Sequence, residues 1–122
     1  VAVDFTDMGE CSALVAELIG QAAPSDTENL LTESAGAYQD SGGTVTVYRP
    51  YLAAALVLER ALNTRRLQQA RGAVFDRASV TIRGLRRQQA AFDEKMAEDH
   101  PTWTVPAAFR ALPGGGQARV VF

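Results

Sequence analysis

Arg83, Arg86 and Arg87 fall within five consecutive positions of the stretch VFDRASVTIRGLRRQQAAFDE (residues 74–94), with Gln88 and Gln89 directly after them. Guanidinium groups at that density on a helix can hold phosphates, fork onto carboxylates of a protein partner, or stand in solvent. Other residues that carry chemistry are scarce. Cys11 is the single cysteine and His100 the single histidine, so neither an intrachain disulfide nor a cluster of Cys and His metal ligands is expected. Cys11 shares a helical register with Leu14, Val15, Leu18 and Ile19, which predicts a buried, inert thiol. His100 precedes Pro101 after a helical segment and reads as a helix-end cation or a loop residue. The carboxylate pairs Asp93-Glu94 and Glu98-Asp99 lie on a polar helix surface, and no helix start follows Gly114-Gly115-Gly116 to cradle a phosphate. No P-loop, dinucleotide fingerprint, H-E-x-x-H motif or internal repeat occurs. Catalytic, cofactor and metal sites are all expected to be none, and the chain reads as a non-enzyme.

The elements that carry these residues follow from spacing. With 122 residues, 47% hydrophobic and 21% charged, the chain has room for one cored domain and is not disordered by composition. The longest strongly apolar run, Leu52 to Leu58, falls far short of the roughly 20 residues of a membrane span. The first residues, VAVDFTD, lack a basic start and an apolar core, so no secretory signal is read and a cytoplasmic origin is the default. Asp7 and Glu10 predict a helix start ahead of the apolar set 11, 14, 15, 18 and 19, ended by Gly20 and Pro24. Ser25-Asp26-Thr27-Glu28 predicts a second start, with Leu30, Leu31, Ala35 and Tyr38 on its stripe before Ser41-Gly42-Gly43 breaks the chain. Thr44 to Tyr48 alternates like a brief strand. Pro50 then opens a helix expected to reach Ala70, with Gly72 ending it. Residues 73–80 read as a connector, and Ser79 or Thr81 as the cap of a last helix bearing Ile82, Leu85, Phe92 and Met96 on one face, within about 80°. After His100, three prolines and a triple glycine predict an extended arm.

The fold expected is mainly α: a small helical bundle of about four helices over residues 1–100, an extended C-terminal arm over 101–122, and room for one short strand or hairpin. The closing Val120, Val121 and Phe122 read either as a strand added to a partner's sheet edge or as a frayed tail.

Charge is segregated along the chain. Residues 1–48 hold eight acidic side chains and no basic one, a charge of -8. Residues 49–92 hold nine arginines against Glu59 and Asp76, a charge of +7, and the remainder contributes -1. The total of -2 therefore hides a polarised molecule, which bears on partners. Arg65, Arg66 and Arg71 complement the C-terminal end of their predicted helix. Arg83, Arg86 and Arg87 would instead oppose the dipole of a helix starting near residue 80, and Arg83 repels Arg87 across one turn. Something else is expected to meet them. A phosphate backbone is one candidate, although eight acids near the N-terminus would repel it. The acidic region of an adjacent copy, through Asp26, Glu28 and Glu33, fits better, because head-to-tail contacts between unlike surfaces close into rings.

Tyr48-Arg49-Pro50-Tyr51 ahead of an alanine-rich helix, Phe75 before Val80-Thr81-Ile82, Gly84-Leu85, Gln88-Gln89 ahead of Asp93, and Val105-Pro106-Ala107-Ala108-Phe109 together carry a resemblance over about residues 44–112. The pattern resembles the head-to-tail connector, or adaptor, proteins of tailed bacteriophages. The resemblance implies a structural virion protein made in the host bacterial cytoplasm. It implies a homo-oligomeric ring, typically of twelve copies, bound to the portal protein on one side and a tail or stopper protein on the other. DNA passes through such a ring as cargo, no membrane is involved, and no catalytic residue is carried over. Residues 1–43 and those after Pro113 have no counterpart in the pattern. The interface candidates are therefore Arg83, Arg86 and Arg87 against Asp26, Glu28 and Glu33, with Trp103, Phe109, Val120, Val121 and Phe122 on the arm. The rival readings are a helical nucleic-acid-binding module using the arginine-rich segment 49–92, and a subunit of an enzyme or regulator completed by another chain.

Overall fold

The computed structural model describes residues 3–62 and 73–109. Helix α1 spans Met8–Ile19, α2 Thr27–Ser34, strand β1 Gly36–Asp40, β2 Gly43–Val47, α3 Pro50–Leu62 and α4 Ala73–Asp99, followed by a 3-10 turn at Ala107–Phe109. The protein is mainly helical, with one two-stranded antiparallel hairpin.

Helix α3 is the centre. Leu52, Ala53, Ala54, Ala55 and Val57 are all buried, and a helix apolar on every side has to be surrounded. Helices α1, α2 and α4 all pack on it. The alanines bring the neighbours close, and the core joins them to Cys11, Val15, Leu31, Ile82 and Leu85. Helix α1 begins as its sequence predicts: Asp7 Oδ1 accepts from the Glu10 amide at 2.9 Å. The Glu10 carboxylate accepts from the Asp4 amide at 2.9 Å, ahead of the cap. Gly20, at φ 76°, ends the helix in the left-handed region that glycine adopts without strain. Just ahead of α1, Phe5 stacks at a tilt on Phe92 and Tyr51, pinning the N-terminal segment to both long helices.

Two boundaries depart from the sequence reading. Residues 36–40 form strand β1, so Tyr38 leaves the helical stripe expected of it. Helix α2 stops at Ser34 because Ala35 turns extended, and β1 then pairs residue by residue with β2, Gly36 opposite Val47 and Asp40 opposite Gly43. The Ser41-Gly42 turn between them is held by Asp40 Oδ1, which accepts from the Gly42 amide at 2.7 Å. The second departure is the start of α4. Residues 73–80 are helical, not a connector, and Ser79 and Thr81 lie inside the helix. The stretch AVFDRASV contains neither glycine nor proline, so nothing in it stops a helix. The expected extension of α3 to Ala70, its end at Gly72, and Arg65, Arg66 and Arg71 lie outside the described residues.

The first nine residues of the arm are docked. Thr104 and Ala37 exchange backbone hydrogen bonds at 2.9 and 3.0 Å, which adds a bridge to the free edge of β1. Thr102 Oγ1 accepts from the Gln39 amide at 2.7 Å. The His100 ring stacks on Tyr38 at 3.7 Å and 13°, so the helix-end histidine also fastens α4 to the hairpin.

Candidate assembly interface

Among the described residues the most densely connected polar side chain is Arg49, which directly precedes α3. Its side chain has no solvent exposure. Nε and Nη2 fork onto the two oxygens of Asp93 in α4, at 3.1 and 2.6 Å. Nη1 donates to the Ser34 carbonyl at 3.0 Å and to the Phe109 carbonyl at 2.7 Å. The Ser34 carbonyl is one that the end of α2 leaves without an intrahelical donor, so the cation satisfies a helix C-terminus as well as a carboxylate. Beside it, Gln89, also fully buried, accepts from the Leu52 amide in the first turn of α3 at 3.0 Å and donates to Asp93 Oδ1 at 3.2 Å. One knot thus joins α2, α3, α4 and the arm.

Arg49, Gln89, Asp93 and Phe109 come from three separate parts of the chain, and the fold gathers them into this one knot. Gln89 had a sequence signal. Positions 82, 85, 89, 92 and 96 follow alternating steps of three and four, the spacing of a buried seam, so a polar residue at 89 marks a buried hydrogen bond. The burial of Arg49 had no such signal, because it stands first in the basic block and reads as one more surface cation.

The interface candidates divide into three groups. Arg86 and Asp26 each form an ion pair within the chain. Arg86 Nη2 donates to Glu59 Oε1 at 2.8 Å, alongside its Nε contact to Oε2. Asp26 does not cap α2 with its side chain. Its carboxylate instead accepts from Arg60 Nη1 and Nη2 at 2.6 and 3.2 Å, and these hydrogen bonds hold it below the ordinary carboxylate range. Among the described residues that pair links the acidic and basic halves, which therefore cancel in part inside one molecule. Trp103 is likewise turned inward: its ring lies where a Cβ on Gly36 would stand, and its Nε1 is buried with no acceptor among the described residues. Phe109 is half-buried, with its carbonyl on Arg49.

The second group remains exposed. Arg83 and Arg87 of α4 and Glu28 and Glu33 of α2 face solvent, and none forms an ion pair among the described residues. The arginines do not oppose the helix dipole, however. Helix α4 begins at Ala73, so Arg83 lies nearly three turns inside it, beyond the reach of the terminal partial charge. What remains is their i,i+4 repulsion and their lack of a counter-charge. The third group, Val120, Val121 and Phe122, lies outside the described residues.

Cys11 is buried beside Asp4, Asp7 and Glu10, and desolvation, then these carboxylates, push its thiol up to about 11. It is a poor nucleophile in this setting. No grouping of His, Cys, Asp and Glu suited to a metal ion occurs among the described residues. No helix among them is long and apolar enough to cross a membrane. No family model matches the chain, and no curated protein or solved structure matches it significantly.

Proposed function

We propose that this chain is a structural assembly protein: a head-to-tail connector that forms a ring, of twelve copies by resemblance, between a portal and a tail or stopper protein in a virion. The contact between copies is heterologous, with Arg83 and Arg87 of one copy against Glu28 and Glu33 of the next. The observation that carries the reading is the pairing pattern. Arg49, Arg60 and Arg86 each have a carboxylate in their own chain, whereas Arg83 and Arg87, four residues apart on an exposed helix face, have none among the described residues. The acids Glu28 and Glu33 are exposed on a different helix and also have no ion pair among the described residues. Unlike surfaces on one chain, each short of a counter-charge, are what a head-to-tail contact requires. The connector role comes from the resemblance.

Native mass spectrometry with the candidate portal protein tests the reading. The wild-type chain should add as a ring, and the R83E/R87E variant should lose ring formation while keeping its helical circular dichroism. Unchanged assembly of that variant would contradict the proposed contact. Titration with duplex DNA separates the rival class of function, because phosphate neutralisation gives affinity that falls steeply with salt. A connector should bind duplex weakly and without that slope.

A further inference from the structure

Helix α4 presents a second ordered pattern, on the side away from the core. Arg83, Arg87, Glu94 and Glu98 are all exposed and lie within an arc of about 60°. None of the four forms an ion pair among the described residues. Along the helix they are placed antisymmetrically about the point between Ala90 and Ala91. Arg87 stands as far before that point as Glu94 stands after it, and Arg83 as far before it as Glu98 after it. The midpoint itself faces the centre of the same arc. Ala90 and Ala91 flank the arc at its midpoint, Gly84 and Ala97 flank it further out, and exposed Val80 stands at its edge before Arg83.

We infer that this face pairs with the same face of a second copy, the two α4 helices lying antiparallel about a two-fold axis between Ala90 and Ala91. In that arrangement Arg83 meets Glu98 of the second copy and Arg87 meets its Glu94, and the axis repeats both pairs. Isologous contacts demand this self-complementarity, in which a residue and its partner exchange roles across the axis. The alanines at the crossing allow the helices to approach to about 8 Å, the close end of helix packing. Charge complementarity therefore selects a second copy of this chain as the occupant.

The inference stands on α4 alone, and it gains a consequence if the ring contact proposed above is correct. Both contacts use Arg83 and Arg87, so they exclude each other. The two-fold dimer is then a resting form that keeps the arginines covered until a ring is templated.

Sedimentation equilibrium at low and high salt provides the test, on the wild-type chain, on E94R/E98R and on R83E/R87E/E94R/E98R. The wild type should dimerise at low salt and dissociate as salt screens the exposed pairs. E94R/E98R, which sets arginine against arginine, should weaken the dimer by roughly tenfold or more. The fourfold reversal restores every pair with its sign exchanged and should recover the dimer. A monomeric wild type, a dimer unaffected by E94R/E98R, or a fourfold variant no better than E94R/E98R would each overturn the inference. The Glu94 and Glu98 changes leave the ring contact intact, so loss of the dimer with ring formation retained separates this surface from the proposed function.

Discussion

Arg49 illustrates what a single residue can do when its charge is fixed and its surroundings are dry. A guanidinium with no solvent exposure needs a carboxylate and further acceptors, and Asp93, the Ser34 carbonyl and the Phe109 carbonyl supply them from three separate segments. Arg49→Ala should therefore cost about 3–5 kcal/mol in urea unfolding, toward the lower end because the Asp93 side chain keeps 16% of its exposure. Arg49→Lys should recover only part of that, since an ammonium lacks the fork that meets both Asp93 oxygens. Stability near wild type in the alanine variant would show that the knot carries little. Gln89→Leu, which keeps the volume but strands the Leu52 amide, should cost about 1–3 kcal/mol by the same measurement. At Cys11 the sign of the pH dependence is fixed by the raised pKa. The unfolded chain releases the thiol proton first, so the contribution of Cys11 to stability is present below pH 9 and is lost as pH climbs toward about 11. The native thiol should also resist a disulfide reagent at pH 8, and rapid modification without unfolding would contradict its burial. The Cys11 position was legible from helical spacing. The Arg49 knot was not, because its acceptors come from residues 34, 93 and 109, which only the tertiary fold brings together.

Among the elements, the helices with clear punctuation were legible and those without it were not. Asp7, Gly20 and Pro50 mark ends that the structure reproduces. Residues 73–80 carry no stop signal, and treating Ser79 or Thr81 as a cap overlooked that a helix can run through both. Strand β1 was hidden because Gly36, Ala37, Gln39 and Asp40 have poor strand propensity. Its existence follows instead from pairing: a brief strand after the turn at Ser41-Gly42 needs a partner before it. The docking of Thr102 to Thr104 on β1 was not legible, since it depends on Trp103 covering a glycine. Gly36→Ala would drive a methyl into the Trp103 ring. The substitution should cost about 1–3 kcal/mol and shift the tryptophan emission toward that of an exposed indole. Unaltered emission and stability would mean the arm does not rest there.

At the scale of the whole molecule, the separation into an acidic first part and a basic second part was legible, and its resolution was only half so. Arg60 on Asp26 cancels one pair of those charges internally, and Arg86 is taken by Glu59 within the basic segment itself. Sequence order cannot distinguish such pairs from contacts between copies, because it does not say which side of a helix the fold covers. Arg83, Arg87, Glu28 and Glu33 are among the exposed charges without an ion pair among the described residues, and the proposed ring depends on their meeting between molecules. Complementary charge reversal tests that directly. R83E/R87E has two acidic surfaces and E28R/E33R two basic ones, so neither should assemble alone on the portal. Mixed, they offer acid to base at every junction, and native mass spectrometry should recover a ring in which the two variants are present in equal numbers. Assembly by either variant alone at the wild-type level, or no ring from the mixture where the wild type forms one, would contradict the account.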